Sequence, residues 1–201
     1  LTLLFVPQLT QLEDASIKGS FNRKKQLVEV EAIIDELHFG ALQTDQLVFM
    51  VNGSTDNLKA NLALLELEVA GIKAPFAIFD TDLKDDSLRF ELQVTGDTLE
   101  NRLALRGMAY DAIQWYEFKL TDEFFLNGES WKIAANNGIY FIDNYLFVNN
   151  LKFREGTHQL AIQSAGFPKK TQTTPPITLS FNDFQINDKN HNLVSVGMKI
   201  L

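Results

Sequence analysis

The sequence predicts an all-β protein in which short antiparallel strands follow one another along the chain. The tract from Gly128 to Ser164 contains a Trp-led strand, an Asn-Gly turn and three further short strands, with no helical pattern between them. Within this tract Leu160 and Ile162 alternate with glutamines, so the two apolar residues share one face of a strand. This period of two is typical of a half-buried strand.

Strand candidates recur along the chain at intervals of about ten residues, as in all-β folds with short turns. The candidates at 16–21 and 27–34 flank a polar turn at 22–26, and those at 87–94 and 102–109 flank a turn at Gly96. Asn-Gly pairs predict tight turns, because both residues tolerate positive φ; they lie at 52–53, 127–128 and 137–138. The remaining predicted strands are 46–51, 58–67, 73–79, 114–121, 130–134, 139–142, 145–153, 159–164, 177–181 and 185–186.

One segment, 58–70, has a helical alternative. Its sequence LKANLALLELEVA is rich in helix formers and has no proline, so intrinsic propensity alone favours a helix. The alternation of Leu62 and Leu64, and the regular series of strands on either side, favour a strand. We therefore predict a strand here.

The predicted strands number roughly 14, more than the roughly ten that a twisted open sheet carries before it curls or splits. Two architectures satisfy this constraint: an elongated, curled antiparallel sheet with an apolar interior, and a closed β-sandwich. Composition does not separate them. We expect a single segment over residues 1–201, with a proline-rich loop at 168–176.

Composition limits the classes of partner. The net charge of −8 argues against nucleic acid, because neutralising phosphates needs a basic surface. Two small basic clusters, Arg23-Lys24-Lys25 and Lys169-Lys170, are predicted to be solvated hairpin tips, with contact to anionic headgroups as the alternative. No stretch approaches the roughly 20 apolar residues that span a bilayer. The chain opens at Leu1 without Met, so we expect a segment of a longer protein whose membrane anchor lies elsewhere.

The sequence offers little material for catalysis, and we predict neither an enzyme nor a cofactor or metal site. There is no cysteine, and the three histidines, His38, His158 and His191, are isolated from one another. The acidic string at 80–86, with Glu91 at the twelfth position, resembles a calcium loop. It carries Lys84 where an oxygen ligand is needed and lacks the turn-making glycine, so an acidic hairpin tip is predicted instead.

Alternating apolar residues are the remaining candidates for a binding surface. The pattern is compatible with an ordinary closed core and also with an open apolar trough. An open trough would favour an apolar ligand, because each methylene removed from water contributes about 0.8 kcal/mol. The candidate residues are Leu88, Phe90, Leu92, Val94, Leu103, Leu105, Tyr116, Phe118, Leu120, Leu160, Ile162, Ile177, Leu179 and Phe181.

Several phrases of the sequence, taken in order, resemble the TamB translocation and assembly module subunit and its AsmA-like relatives. The phrases span most of the chain: LEDASIKGSFN at Leu12–Asn22, LHFGALQTDQLVFMVNG at Leu37–Gly53, LALRGMA at Leu103–Ala109, the Trp131 tract, and PPITLSFNDFQI at Pro175–Ile186.

This resemblance implies a repeated β-groove, or β-taco, in a periplasmic protein that is anchored in the inner membrane and bridges to the outer membrane. It also implies an apolar groove that conducts phospholipid or another acyl-chain ligand, assists outer-membrane protein assembly, or does both. The implied partners are an Omp85-type barrel and other segments of the same chain. The alternative from the residues alone is a β-sandwich binding or adhesion module with a site in the loops at 80–86 and 149–158.

Overall fold

The computed structural model describes residues 8–54, 56–69, 71–96, 101–111, 115–126, 128–142, 145–166, 176–183 and 195–200. These residues form sixteen strands and no helix, which confirms the predicted all-β class. This part of the chain accordingly holds no helix with the length and hydrophobicity that crossing a bilayer requires. The strands are β1 (Leu9–Asn22), β2 (Leu27–Phe39), β3 (Leu42–Thr44), β4 (Gln46–Ser54), β5 (Asn57–Val69), β6 (Ile72–Lys84), β7 (Ser87–Thr95), β8 (Asn101–Asp111), β9 (Tyr116–Leu126), β10 (Glu129–Ile133), β11 (Gly138–Ile142), β12 (Tyr145–Asn149), β13 (Leu151–Glu155), β14 (His158–Ser164), β15 (Ile177–Asn182) and β16 (Ser195–Ile200).

The sixteen strands belong to one antiparallel sheet, as predicted. Its main path follows chain order except that β4 pairs with both β2 and β5, and that β10 is followed by β13. The strands β11 and β12 leave this path, with β11 paired to β9 and to β12. The chain divides into two compact units, Leu1–Ala104 and Leu105–Leu201, which are described separately below.

The segment with the helical alternative is a strand, so the prediction for it is correct. β5 pairs along its length with β4 on one side and β6 on the other. Its helix formers are overridden by these two ladders, since tertiary pairing outweighs a propensity difference of less than about 1 kcal/mol per residue. Leu62 and Leu64 share one face, as their alternation predicts, and Leu58 lies on the same face.

The turn signals are correct in two places and displaced in another. Asn22 closes the first turn, because its Oδ1 accepts hydrogen bonds from the backbone N–H groups of Lys24 and Lys25 at 3.1 and 3.2 Å. Leu126 pairs with Glu129, as a tight hairpin at 127–128 requires, and Gly128 has a φ of 85°; Asn127 itself lies outside the described residues. The pair at 52–53, in contrast, lies inside β4, whose last residue Ser54 pairs with Asn57, the first residue of β5.

Gly53 allows the backbone of β4 to approach the backbone of β5 closely. A Cβ added to this residue would lie 2.1 Å from the carbonyl oxygen of Asn57, and its φ is 137°. The Asn-Gly pair therefore reports a contact between two strands at this position, and the prediction of a turn there was wrong. A glycine that permits close approach has the same sequence signal as one that permits positive φ.

The first unit has a discontinuity where β2 exchanges one partner for another. Leu37 of β2 pairs with Thr44 of β3, whereas Ile34 pairs with Leu47 of β4. Thr44 is 1% exposed, and its hydroxyl lies 2.5 Å from the carbonyl oxygen of Leu65 and 3.0 Å from that of Gln46, so that its one proton is donated to this pair of acceptors. The side chain thus supplies a donor where the ladder is interrupted.

The second unit has a closed core around Trp131, which is 5% exposed. Val148, Leu151 and Phe153 complete the buried cluster, and the ring centroid of Phe153 lies 5.0 Å from that of Phe124. The hairpin of β11 and β12 contributes to this core, since Val148 belongs to β12. The Trp-led strand predicted from the sequence is therefore the centre of the core of this unit.

The third Asn-Gly pair, 137–138, is also not a hairpin tip. Asn137 is 2% exposed. Its Oδ1 accepts a hydrogen bond from the backbone N–H of Leu120 at 2.9 Å, and its Nδ2 donates to the carbonyl oxygens of Leu120 and Ala134 at 2.9 and 2.8 Å. The side-chain amide replaces a peptide group beside β9, between the part of β9 that pairs with β11 and the part that pairs with β10.

Candidate acyl-chain surface

Six strands of the first unit, β1, β2, β4, β5, β6 and β7, place their alternate residues in register. Directly paired residues of an antiparallel ladder share a face, so the pairings between neighbouring strands define four rows that cross all six strands. We call these 24 positions the apolar face. Its rows are Phe21–Val28–Gly53–Leu58–Leu83–Leu88, Gly19–Val30–Val51–Ala60–Thr81–Phe90, Ile17–Ala32–Phe49–Leu62–Phe79–Leu92 and Ala15–Ile34–Leu47–Leu64–Ala77–Val94.

The apolar face has no charged residue and a single polar side chain. That side chain, Thr81, donates its hydroxyl to the carbonyl oxygen of Ala60 at 3.3 Å, so its donor is satisfied by the neighbouring strand. Gly19 and Gly53 contribute no side chain at all. The face therefore offers a ligand dispersion contacts and removal of apolar surface from water, with no charged group to orient it.

Most of the apolar face is accessible to solvent. Of its 24 residues only Ala77 is buried, at 4% exposed, whereas Ile17 and Phe21 are 73% and 66% exposed and Phe79 is 38% exposed. The other large side chains are half-buried, as expected when the neighbours in a single layer supply the only cover. A closed sandwich core would leave these residues below about a tenth exposed.

The dimensions of the face suit a long apolar ligand. Six strands about 4.8 Å apart span roughly 24 Å, and four alternate residues along a strand span roughly 20 Å. The resulting area of about 500 Å² lies in the upper part of the range of about 300–600 Å² for the largest apolar patch on a typical soluble monomer. One row is also longer than the roughly 15 Å that one leaflet contributes to the hydrocarbon thickness of a bilayer.

The opposite face of the same strands is polar through most of its extent. Lys59 Nζ lies 4.0 Å from Asp82 Oδ2, and Asn61 Nδ2 donates to Asp80 Oδ1 at 2.7 Å. These side chains come from the intervening positions of β5 and β6. The sheet is therefore amphipathic, with one face adapted to water and the other available for apolar contact.

The residues predicted from the sequence divide between the two units. Leu88, Phe90, Leu92 and Val94 of β7 all lie on the apolar face and are half-buried. Leu103 and Leu105 of β8 are half-buried. Their proposed role in lipid binding stays a prediction.

The predicted residues of the second unit are placed differently. Tyr116 is 57% exposed, and Phe118 makes an edge-to-face contact with Phe141 at 5.5 Å between ring centroids. Leu179 and Phe181 are half-buried in β15. The other four pack against the closed core around Trp131: Leu120, Leu160, Ile162 and Ile177.

Sequence reasoning missed most of the apolar face, although the signal was present. The sequence LVEVEAII of β2 alternates as clearly as that of β7 over Val28–Ala32, where Glu29 and Glu31 separate Val28, Val30 and Ala32. The register of the six strands is needed to show that residues outside β7 share its face. The large missed residues are Ile17, Phe21, Val28, Val30, Ile34, Leu47, Phe49, Val51, Leu58, Leu62, Leu64, Phe79 and Leu83.

A polar cluster lies in the second unit at Glu117, Lys119 and Tyr140. Lys119 Nζ is 3.0 Å from Glu117 Oε1, and this hydrogen bond raises the pKa of Lys119 above its ordinary value. Burial raises the pKa of Tyr140, and a hydrogen bond to Glu117 adds to the effect. Both shifts favour the protonated side chains, so the cluster is a structural ion pair with a phenol donor and not a set of groups that exchange protons near neutral pH.

The remaining sequence candidates give no metal or catalytic centre within the described residues. His38 Nε2 contacts Glu36, and His158 Nδ1 contacts Glu155, each at 3.2 Å; His191 and the second basic cluster lie outside the described residues. No group of three or more potential metal ligands occurs in the described part of the chain.

The acidic string at 80–86 belongs to β6 and its turn at 85–86, as predicted for a hairpin tip. Of the other loop predicted for an adhesion site, 149–158, most is β13 and the ends of its neighbours.

Comparison with protein-family models, with curated proteins and with solved structures finds no match to this chain.

Proposed function

We propose that the chain is a segment of a TamB-like periplasmic protein and that its apolar face binds the acyl chains of phospholipids. The observation that carries this proposal is the apolar face itself: 24 registered positions without a charge, of which only one is buried. The resemblance of the sequence to the TamB family supplies the biological setting. In that setting the parent protein is anchored in the inner membrane and contacts an Omp85-type barrel in the outer membrane.

The energetics support binding without a specific pocket. A methylene fully removed from water contributes about 0.8 kcal/mol, so one covered on a single side by the sheet contributes about half of that. An acyl chain of about fifteen methylenes would then gain roughly 6 kcal/mol before the cost of ordering the chain. Binding of this strength is weak and reversible, which suits a surface along which a lipid moves.

Movement along the face requires that neighbouring positions be equivalent. Leu62, Phe79 and Leu92 are consecutive members of one row, and each presents an aliphatic or aromatic surface with no hydrogen-bonding group. A ligand that shifts from one strand to the next exchanges one apolar contact for another. The headgroup needs no partner on the face, because it can stay in water at the margin.

Photo-crosslinking at adjacent positions of one strand tests this proposal. Benzoylphenylalanine would replace Phe49 on the apolar face or Met50 on the polar face, and the purified protein would be illuminated with phospholipid micelles. Met50 is the matched control, because it is 42% exposed and lies one residue away on the other side of the sheet. We expect lipid adducts by mass spectrometry at Phe49 and few at Met50.

A second pair on another strand guards against a local artefact. Phe90 and Arg89 are likewise adjacent residues of β7 on opposite faces of the sheet. Phe90 lies on the apolar face, and Arg89 is exposed on the polar face. Adducts of equal yield at all four positions, or adducts at neither position of the apolar face, would contradict acyl-chain binding there.

A further inference from the structure

The turn between β1 and β2 concentrates positive charge in an acidic protein. Arg23, Lys24 and Lys25 are consecutive and exposed, whereas the whole chain has a net charge of −8. Asn22 Oδ1 fixes the turn through the backbone N–H groups of Lys24 and Lys25. Among the described residues, none of the three cations forms an ion pair with a carboxylate.

Exposed apolar side chains flank these cations on both strands. Phe21 immediately precedes the turn and is 66% exposed, and Leu27 immediately follows it and is 39% exposed. Ile17, further along β1, is 73% exposed. We call residues 21–27 the basic tip. It combines three cations with an aromatic and an aliphatic side chain at the end of a hairpin.

We propose that the basic tip docks on the surface of an anionic phospholipid bilayer. Binding to a membrane surface strengthens with the apolar area inserted and with electrostatic attraction to anionic lipids, and the basic tip has side chains for both. Each cation near an anionic surface strengthens binding by roughly a factor of five, so three together contribute about a hundredfold. The turn brings the charges and Phe21 to one end of a hairpin, where a planar surface can contact them together.

Charge on the rest of the molecule favours a bilayer over nucleic acid as the partner. A nucleic acid groove needs a basic stripe that follows successive phosphates. Beyond the basic tip, β2 instead carries Glu29 and Glu31 at the next polar positions. Glu29 and Glu31 lie further from the turn along β2, but Asp56, Asp85 and Asp86 lie in turns at the same end of the sheet. Docking must therefore bring the β1–β2 turn closest to the headgroups.

Docking would place the end of the apolar face next to lipid. Phe21 pairs with Val28 in the first row of that face, directly beside the turn. This consequence rests on the proposed function, whereas docking itself does not. A lipid leaving the bilayer at the basic tip would meet the first row before any other part of the face.

Vesicle sedimentation tests the proposal with the whole chain. The probes are vesicles of phosphatidylglycerol and phosphatidylcholine in equal parts, and vesicles of phosphatidylcholine alone. In the R23Q/K24Q/K25Q variant we expect about a hundredfold weaker partitioning onto the anionic vesicles. The matched control is K59Q/K73Q/R89Q, which removes the same charge from exposed positions of other strands and should weaken partitioning less than fivefold.

The apolar component has its own variant. F21S should weaken partitioning onto anionic vesicles about tenfold, because the phenyl ring no longer enters the interface. Circular dichroism of each variant checks that the strands remain. Equal losses in the two triple variants, or equal partitioning of the unaltered chain onto both kinds of vesicle, would overturn the proposal.

Two further outcomes identify a different ligand. Full displacement from anionic vesicles by millimolar inorganic phosphate would indicate a site for free anions. Tighter binding of a single-stranded oligonucleotide than of vesicles, lost in R23Q/K24Q/K25Q, would indicate nucleic acid. Either result overturns bilayer docking. The crosslinking yield at Phe49 in micelles should be unchanged in that variant, so failure of docking and failure of acyl-chain binding are distinguishable.

Discussion

Two carboxylates placed on the apolar face would distinguish an open surface from a closed core. The change is F90D/L92D, at half-buried positions of β7 where the Phe90 ring centroid lies 6.3 Å from that of Phe79. Full burial of such a side chain is worth about 1.5–3 kcal/mol, so losing two half-buried ones costs about 2 kcal/mol. In a chain of 201 residues this lowers Tm by about 4–8 °C.

The same double variant in a closed core would have a much larger effect. Each unpaired buried carboxylate would cost several kcal/mol, and two would exceed much of the roughly 5–15 kcal/mol that stabilises a domain. Thermal unfolding followed by circular dichroism measures the change in Tm. Phospholipid crosslinking at Phe49 measures the loss of binding. The control N52D/S87D adds the same charges to the polar face.

The two readouts separate three results. A folded F90D/L92D variant with crosslinking reduced at least tenfold supports the apolar face as the binding surface. A variant that unfolds shows that Phe90 and Leu92 belong to a closed core. A folded variant that crosslinks lipid as well as the N52D/S87D control refutes the assignment of acyl-chain binding to this face.

Three further predictions concern stability. N137L should lower the free energy of unfolding in urea by about 3–5 kcal/mol, because it orphans the buried backbone groups that the amide satisfies. G53A should cost more than about 2 kcal/mol in the same assay, because its Cβ would overlap a backbone carbonyl. Since the pKa values of Lys119 and Tyr140 are raised in the folded state, their contribution is fully present below the ordinary values of 10.5 and 10.0 and is lost as pH rises through the folded-state values. E117Q should therefore flatten the decline of stability between about pH 9 and 12.

Matched variants control for the chemistry of each change. The exposed Asn57 tests the loss of an amide without burial, and N57L should change stability by less than about 0.5 kcal/mol. Gly128 tests positive φ without a steric clash, since a Cβ there meets no atom within 4 Å; G128A should cost only about 1 kcal/mol. Equal effects of N57L and N137L, or a decline with pH that E117Q leaves unchanged, would contradict these assignments.

The local features of this fold were predictable from its sequence, and the long-range features were not. Alternation predicted β7 and β14, and it correctly favoured a strand over a helix at Leu58–Val69, because a period of two is written in consecutive residues. The pairing of β10 with β13 has no local signal. The same is true of the apolar face, whose extent depends on the register of six strands and not on the composition of any one of them.

Two of the three Asn-Gly turn signals failed for a related reason. Asn137 and Gly53 have the residue types of a hairpin tip, but each is used for a contact with a neighbouring strand. A sequence shows that a backbone position is unusual without showing what requires it. Trp131 is the converse case, because the Trp-led strand predicted from the sequence does lie at the centre of a core.

Thr44, Asn137 and Ser164 are the three buried polar side chains in the described part of the chain. Thr44 and Asn137 lie where a strand changes partner, and Ser164 Oγ accepts a hydrogen bond from the Val148 backbone at 2.9 Å, between strands that do not pair. Such side chains stabilise a branched sheet. They form hydrogen bonds with buried peptide groups that have no partner strand at the branch. A β-meander could thus acquire a branch by changing a few hydrogen-bonding residues, with its hydrophobic pattern intact.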